Sequence, residues 1–189
     1  MLRSNKTSWV LFSLIVLVFV LVQLRGLAHI ALGDENVYYY MAKLVSEGNL
    51  PYRDFFYAHP PMHILIFSVV IKIFGVNFVI LKTLTLFALL TASYFLYKTS
   101  LELFKNRLND DNYVLISCIT LILFLFSFEV MFQATFPLGI NLSLMFLMAS
   151  FYFIYTKKYF IGGVFAGFAG LTRFYALPPL LAVFALVFL

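Results

Sequence analysis

GDENVYYYMAKLVSEGNLPYRDFFYAHPP, residues Gly33 to Pro61, is the longest polar interruption in an otherwise apolar chain of 189 residues. It holds four of the eight carboxylates, Asp34, Glu35, Glu47 and Asp54, and it directly follows the first strongly hydrophobic run. A stretch so rich in charge and tyrosine, set between apolar helices, reads as a working site and not as a connector. Its two flanks decide the fold. Before it the sequence reads as a membrane-spanning helix, and after it come a short apolar helix and further spans, which makes this stretch part of the first and largest loop of an all-α, polytopic membrane protein.

Composition supports that class. Apolar residues make up 63% of the chain and charged residues 11%, a balance that belongs to integral membrane proteins. A soluble domain of this length would have no polar surface left after burying so much apolar area. The net charge of +5 does not point to nucleic acid. The basic residues are scattered at the ends of apolar runs, where orientation signals sit. Cys118 is the only cysteine, which excludes an internal disulfide or a cysteine metal site. Arg3 and Lys6 precede a run too long for a secretory core, with no small-residue cleavage site after it, so the run reads as a retained anchor.

Taken in order, Trp9 to Leu24 with its weaker continuation to Leu32 is long enough to cross a core of about 30 Å. Asn36 to Glu47 reads as a short amphipathic helix at the interface, with Val37, Met41, Leu44 and Val45 on its apolar face and Gly48 as its stop. Asn49 to Pro61 reads as irregular loop broken by Pro51, Pro60 and Pro61. Met62 to Phe74 is apolar but short for a span, and fits an interfacial or re-entrant helix. Further spans are expected at about 78–97, 113–128, 140–155, 159–172 and 176–189. A polar connection covers Lys98 to Asn112 and a short turn region Glu129 to Gly139. Gly163, Gly167 and Gly170 allow close helix contact. The chain stops inside a hydrophobic run, which suggests the N-terminal module of a longer enzyme or a product that needs a partner.

Parity constrains the layout. Lys105 and Arg107, like Lys157 and Lys158, belong on the cytoplasmic side by the positive-inside rule. They share that side with the N-terminus only if Met62 to Phe74 does not cross. The loop over 33–77, the Glu129–Gly139 turn and Arg173 then face the outer or lumenal side. Arg25, Lys43, Arg53, Lys72 and Lys82 are placed outside as well, an excess that a functional site can demand.

The Asp-Glu pair after the first span, then Gly-x-x-Pro-Tyr-x-Asp-Phe, His-Pro-Pro and the "KIFGVN….K" that follows form an ordered set. It resembles the N-terminal module of the dolichyl-phosphate-mannose–protein mannosyltransferases and the related polyprenyl-phosphate-sugar transferases, including the lipid A aminoarabinose transferases, all of GT-C fold. The resemblance runs from about Trp9 to Arg173. It implies transfer of a sugar, mannose among the candidates, from a polyprenyl-phosphate donor to a protein, lipid or glycan acceptor. The reaction takes place with inversion at the outer face of a plasma or endoplasmic-reticulum membrane.

The resemblance makes Asp34 the catalytic base. The chemistry agrees: a carboxylate in reach of the acceptor hydroxyl can take its proton. The phosphate leaving group needs no strong general acid, so the paired carboxylates of glycoside hydrolases are not required. The blander role for Asp34 is to cap the helix that follows, and the two are compatible. Glu35 is open to three readings: tuning Asp34, binding acceptor, or simple exposure. Arg173, in "GLTRFYALP", matches a basic element that pairs with phosphate, or else it snorkels. Lys82 holds either a loop carboxylate or the donor. Asp54 and His59 complete the donor- and acceptor-binding candidates. His63, on an apolar helix, reads as structural, and Tyr38 to Tyr40 and Phe55 to Tyr57 either stack on sugar or anchor at the interface. His59 and His63 are four apart without an H-E-x-x-H frame, so no zinc site is expected. Asn141 stands where relatives often carry an acid, so a divalent metal gains no support and no cofactor is expected. A transporter would place ionisable groups in mid-span, whereas here they cluster at span ends. A non-catalytic membrane subunit is the remaining alternative.

Overall fold

The computed structural model describes residues 2–29, 33–108 and 112–188. Residues 30–32 of the expected first span, 109–111 of the expected polar connection and residue 189 lie outside the described residues. Among the described residues the regular elements are helices, and no strand occurs. They are α1 (Leu2–Ala28), α2 (Asp34–Ser46), α3 (Met62–Phe74), α4 (Phe78–Lys105), α5 (Asn112–Leu125), α6 (Phe128–Gln133), α7 (Ile140–Tyr155), α8 (Tyr159–Thr172) and α9 (Leu177–Phe188), with a 3-10 turn at Phe174–Ala176. Two of these, Lys6–Ala28 within α1 and Phe78–Lys105, are long and apolar enough to cross a bilayer. Helices α3, α5, α7 and α8 are apolar but have 13 to 16 residues. The polytopic layout expected from the sequence therefore rests on helix character at every expected span and on span length at two.

The boundaries follow local chemistry. Asn77 caps α4, its side-chain oxygen accepting from the Val79 and Ile80 amides at 3.0 and 3.2 Å, the usual device for the orphan N–H groups of a first turn. α4 then runs to Lys105, through Lys98–Lys105, where a polar connection was expected. Leu101 and Phe104 are half-buried there and Ser100 is buried, so packing carries the helix past the first charges. The expected turn region 129–139 begins instead with α6. Pro178 and Pro179 fall in the first turn of α9, where a missing amide hydrogen costs nothing.

α4 is the axis of the packing. One core joins it to α1 and α5 through Phe19, Leu86, Leu89, Tyr97, Leu121 and Leu125. A second joins it to α2, α3 and α7 through Tyr39, Ala42, Phe67, Leu81 and Leu142. A third lies between α7, α8 and α9, around Leu147, Ile154, Ala166 and Leu180. Polar rungs fix the registers. Ser8 and Tyr97 share a 2.7 Å hydrogen bond between α1 and α4. Ser143 and Ser150 of α7 donate to the Ala169 and Gly162 carbonyls of α8 at 3.1 and 2.9 Å.

α2 differs from its expected orientation. Its buried line is Glu35, Tyr39 and Ala42, while Val37, placed on the apolar face by periodicity, is 49% exposed. The helix is turned so that a carboxylate faces inward, and the reason lies in the partner that Glu35 meets.

Gly139, before α7, has φ +78°, and a Cβ there would stand 2.7 Å from the His63 ring. Gly139→Ala is expected to destabilise the fold by about 3 kcal/mol, through left-handed backbone strain and the clash together. Gly163→Ala, with open space at its Cβ and a helical backbone, is expected to leave stability unchanged or raise it. Thermal unfolding of the two variants in detergent checks the contrast.

Candidate functional site

Two groups of side chains meet at the start of α2, one around Glu35 and one around Tyr38.

The inner group is built on Lys82. This side chain is 2% exposed and that of Glu35 1%, and Lys82 Nζ lies 3.3 Å from Glu35 Oε2. The ammonium also donates to the His29 carbonyl just after α1 and lies 5.6 Å from the centre of the Phe136 ring. One cation thus ties His29 after α1, Glu35 of α2 and the segment between α6 and α7. Of the two sequence readings for Lys82, the structure has it holding a loop carboxylate. Of the three for Glu35, exposure is overturned, because the ion pair draws it inside. Asn141 is buried nearby in the fold. Its side-chain amide donates to the Gln133 and Ala134 carbonyls, a structural tie on the segment that carries Phe136.

The outer group is built on Arg173. The break after α8 leaves Arg173 extended, at φ −152° and ψ 138°, and its side chain turns inward to be only 3% exposed. That overturns the snorkelling alternative. Its guanidinium lies 4.9 Å from the Tyr38 ring centre and 6.0 Å from that of Tyr175, and it donates to the Tyr38 hydroxyl at 3.4 Å. Among the described residues the ion pairs are Lys43–Glu47, Arg53–Asp54 and Lys82–Glu35; none includes Arg173. Its Nε is buried without a hydrogen-bond partner. Its charge is thus met by aromatic faces and not by a carboxylate, which leaves part of its hydrogen-bonding edge uncommitted.

Around Tyr38 stand Tyr57, His59 and His63, at ring-centre distances of 6.3, 5.9 and 5.4 Å. His63 is fully buried; burial and the Arg173 charge push it down to about 3, so it is neutral at physiological pH. His59 is half-buried and lowered for the same two reasons. Burial raises the Tyr57 hydroxyl well above the usual phenol range. The site thus carries one net positive charge, on Arg173, among neutral polar rings. Sequence reading left Tyr57 between stacking on sugar and anchoring at the interface, and gave His63 to structure. The signal that places them here is the His-Pro-Pro turn, which folds the loop back so that Tyr57 and His63 flank one space.

The loop that carries these groups is knitted to itself. Asp54 accepts from the Leu50 amide at 2.7 Å and pairs with Arg53 at 2.8 Å. These contacts hold its carboxyl down to about 2. The Tyr52 hydroxyl donates to the His59 carbonyl. Asp54 therefore braces the loop, and the structure does not bring it to Arg173.

Asp34 is the first residue of α2 and is exposed. Gly33 takes the capping position and no side-chain cap forms, so Asp34 is not the cap suggested by sequence. It sits one turn before Tyr38, and residues four apart on a helix are neighbours, about 6 Å between Cβ atoms. The carboxylate and the ring that Arg173 covers therefore share one face of α2. The inward turn of Glu35 onto Lys82 fixes that face. No three His, Cys, Asp or Glu side chains among the described residues converge as a metal-holding group.

Lys82→Met takes the buried cation away from the Glu35 carboxylate, at an expected cost of about 3–5 kcal/mol. The double variant Glu35→Gln/Lys82→Met is expected to recover most of that loss. Melting temperatures of the single and double variants give the coupling; equal losses in both would remove the pair from its structural role.

No protein-family model, curated protein or solved structure matches the chain.

Proposed function

We propose that the chain is the N-terminal module of a membrane glycosyltransferase that moves a sugar from a polyprenyl-phosphate donor to an acceptor hydroxyl at the outer or lumenal face. One observation carries the reading: an exposed carboxylate, Asp34, lies one helical turn from Tyr38, the ring covered by the buried, carboxylate-free Arg173. Base and anion clamp are the two groups such a transfer needs, and here they share one side of α2. Asp34 takes the proton of the acceptor hydroxyl as its oxygen attacks the anomeric carbon. The bond from that carbon to the phosphate oxygen breaks, the electron pair leaves with the polyprenyl phosphate, and inversion results. Arg173 holds the phosphate and receives the charge that develops on it. The ordered motifs from Asp34 to Lys82 that resemble the polyprenyl-phosphate-sugar transferases support the same reading.

Membrane residence is part of the proposal. Large apolar side chains face outward around the fold, among them Phe87 at 63%, Leu123 at 69% and Phe160 at 85% exposure, more apolar surface than water tolerates on a monomer. We place α3 along the outer interface. A helix of 13 residues is about 20 Å long, short of a hydrocarbon core of about 30 Å. With α3 not crossing, Asp34 and Arg173 lie on one side of the membrane and the N-terminus, Lys105 and Lys157 on the other.

Asp34→Asn is expected to lower transfer at least about 100-fold while donor binding is kept, measured with labelled polyprenyl-phosphate sugar in proteoliposomes. Near wild-type turnover would remove Asp34 as the base. Arg173→Ala is expected to weaken donor binding by about 10- to 100-fold, with Arg173→Lys restoring only part of it.

The topology has its own test. Single cysteines at Ser46, Asn77, Asn106 and Thr156 in a Cys118→Ser background are treated with an impermeant thiol reagent. Labelling is expected from outside at the first two positions and protection at the last two. Protection at Asn77 with labelling at Asn106 would part the base from the clamp.

A further inference from the structure

The Arg173 cluster holds more buried polar capacity than the fold itself uses. Arg173 Nε, the Tyr57 hydroxyl and the His63 ring nitrogens are all buried without a well-formed hydrogen bond. The Pro137 carbonyl stands beside one His63 nitrogen, off the line of a good bond. Native proteins pair nearly all such groups, and an exception calls for a cause. Here three exceptions come from three separate segments, the 50–59 loop, the first turn of α3 and the break after α8, and they surround one ring. That ring, Tyr38, is half-exposed and is tied to Arg173 by a long 3.4 Å bond. It fills the space they face.

The chemistry of the orphaned groups defines what they would bind. A guanidinium nitrogen only donates, and it suits an anion oxygen. A phenol hydroxyl both donates and accepts, and a neutral imidazole oriented toward Pro137 by one nitrogen offers a lone pair on the other. Such groups match alcohol hydroxyls, which also donate and accept, and the imidazole lone pair finds no proton to accept on an ionised phosphate. A ligand bearing one negative charge with hydroxyls alongside satisfies all three.

Resting on the glycosyl-transfer reading, we propose that Tyr57 and His63 recognise the hydroxyls of the donor's sugar beside the phosphate held by Arg173, and that Tyr38 turns aside to admit it. Tyr57 and His63 are then specificity-determining residues. A pocket built to hydrogen-bond a hydroxyl rejects an analogue without it strongly, because its own groups stay unpaired. The Tyr38 hydroxyl takes the Arg173 hydrogen bond that a phosphate oxygen would take, and its ring lies against the two readers.

The test is equilibrium binding of farnesyl phosphate, and of farnesyl phosphates carrying mannose, glucose or 4-aminoarabinose, to the purified protein in detergent. Wild type is expected to bind one glycosylated probe about fivefold or more tighter than the bare phosphate, a preference that one or more hydrogen bonds supply. Tyr57→Phe is expected to abolish the preference while its affinity for farnesyl phosphate stays within about twofold. Because it deletes a buried hydroxyl that has no partner, its unliganded melting temperature is expected to equal or exceed that of wild type. A merely structural Tyr57 would lower the melting temperature and leave the preference intact. His63→Phe, which keeps a ring against Gly139, is expected to show the same selective loss, and Tyr57→Phe decides the matter if that variant does not fold. Equal binding of all four probes by wild type, or an unchanged preference in Tyr57→Phe, overturns the inference. Failure of the function reading looks different: farnesyl phosphate itself does not bind, or Arg173→Ala binds it as wild type does.

Discussion

The buried ion pair of Lys82 and Glu35 is the constraint on which the site depends. Each of the two charges is expensive away from water, and their attraction offsets that expense only with further hydrogen bonds in place. Lys82 has one, to the His29 carbonyl, and its cation also rests against the Phe136 ring. The consequence is geometric more than energetic. A single side chain from the first turns of α4 fixes His29 just after α1 and the rotation of α2. Once Glu35 points inward, the residue before it must point about 100° away around the helix, and Asp34 is left exposed on the face it shares with Tyr38.

Much of this was legible in the sequence. The polar stretch at 33–61 announced itself by composition, and the helices at Met62–Phe74, Ile140–Tyr155 and Tyr159–Thr172 follow from apolar runs with clear breakers. The face of α2 was not legible. Periodicity counts apolar residues, and it chose Val37, Met41, Leu44 and Val45. The real inner face begins with a carboxylate whose partner lies 47 positions away, which no local pattern contains. The same blindness hid the place of His63. A histidine in an apolar helix reads as core, and its meaning changes only when Arg173, from the far end of the chain, arrives beside it. The extension of α4 to Lys105 was lost for the opposite reason: local charge suggested a loop where packing continues the helix.

The two buried cations are treated in opposite ways, and that contrast separates structure from function. Lys82 has a carboxylate within salt-bridge distance, and it is a clamp on the chain. Arg173 has only the faces of Tyr38 and Tyr175. Aromatic faces stabilise a desolvated guanidinium, yet they leave its hydrogen-bonding edge uncommitted. A carboxylate in their place would make the fold more secure and the cation useless to an incoming anion. The self-knit 50–59 loop serves the same end. It spends Asp54 on the Leu50 amide and on Arg53, so that this carboxylate is not paired with Arg173. Arg173 keeps its charge in the interior on aromatic faces alone, with no ion pair to a carboxylate among the described residues.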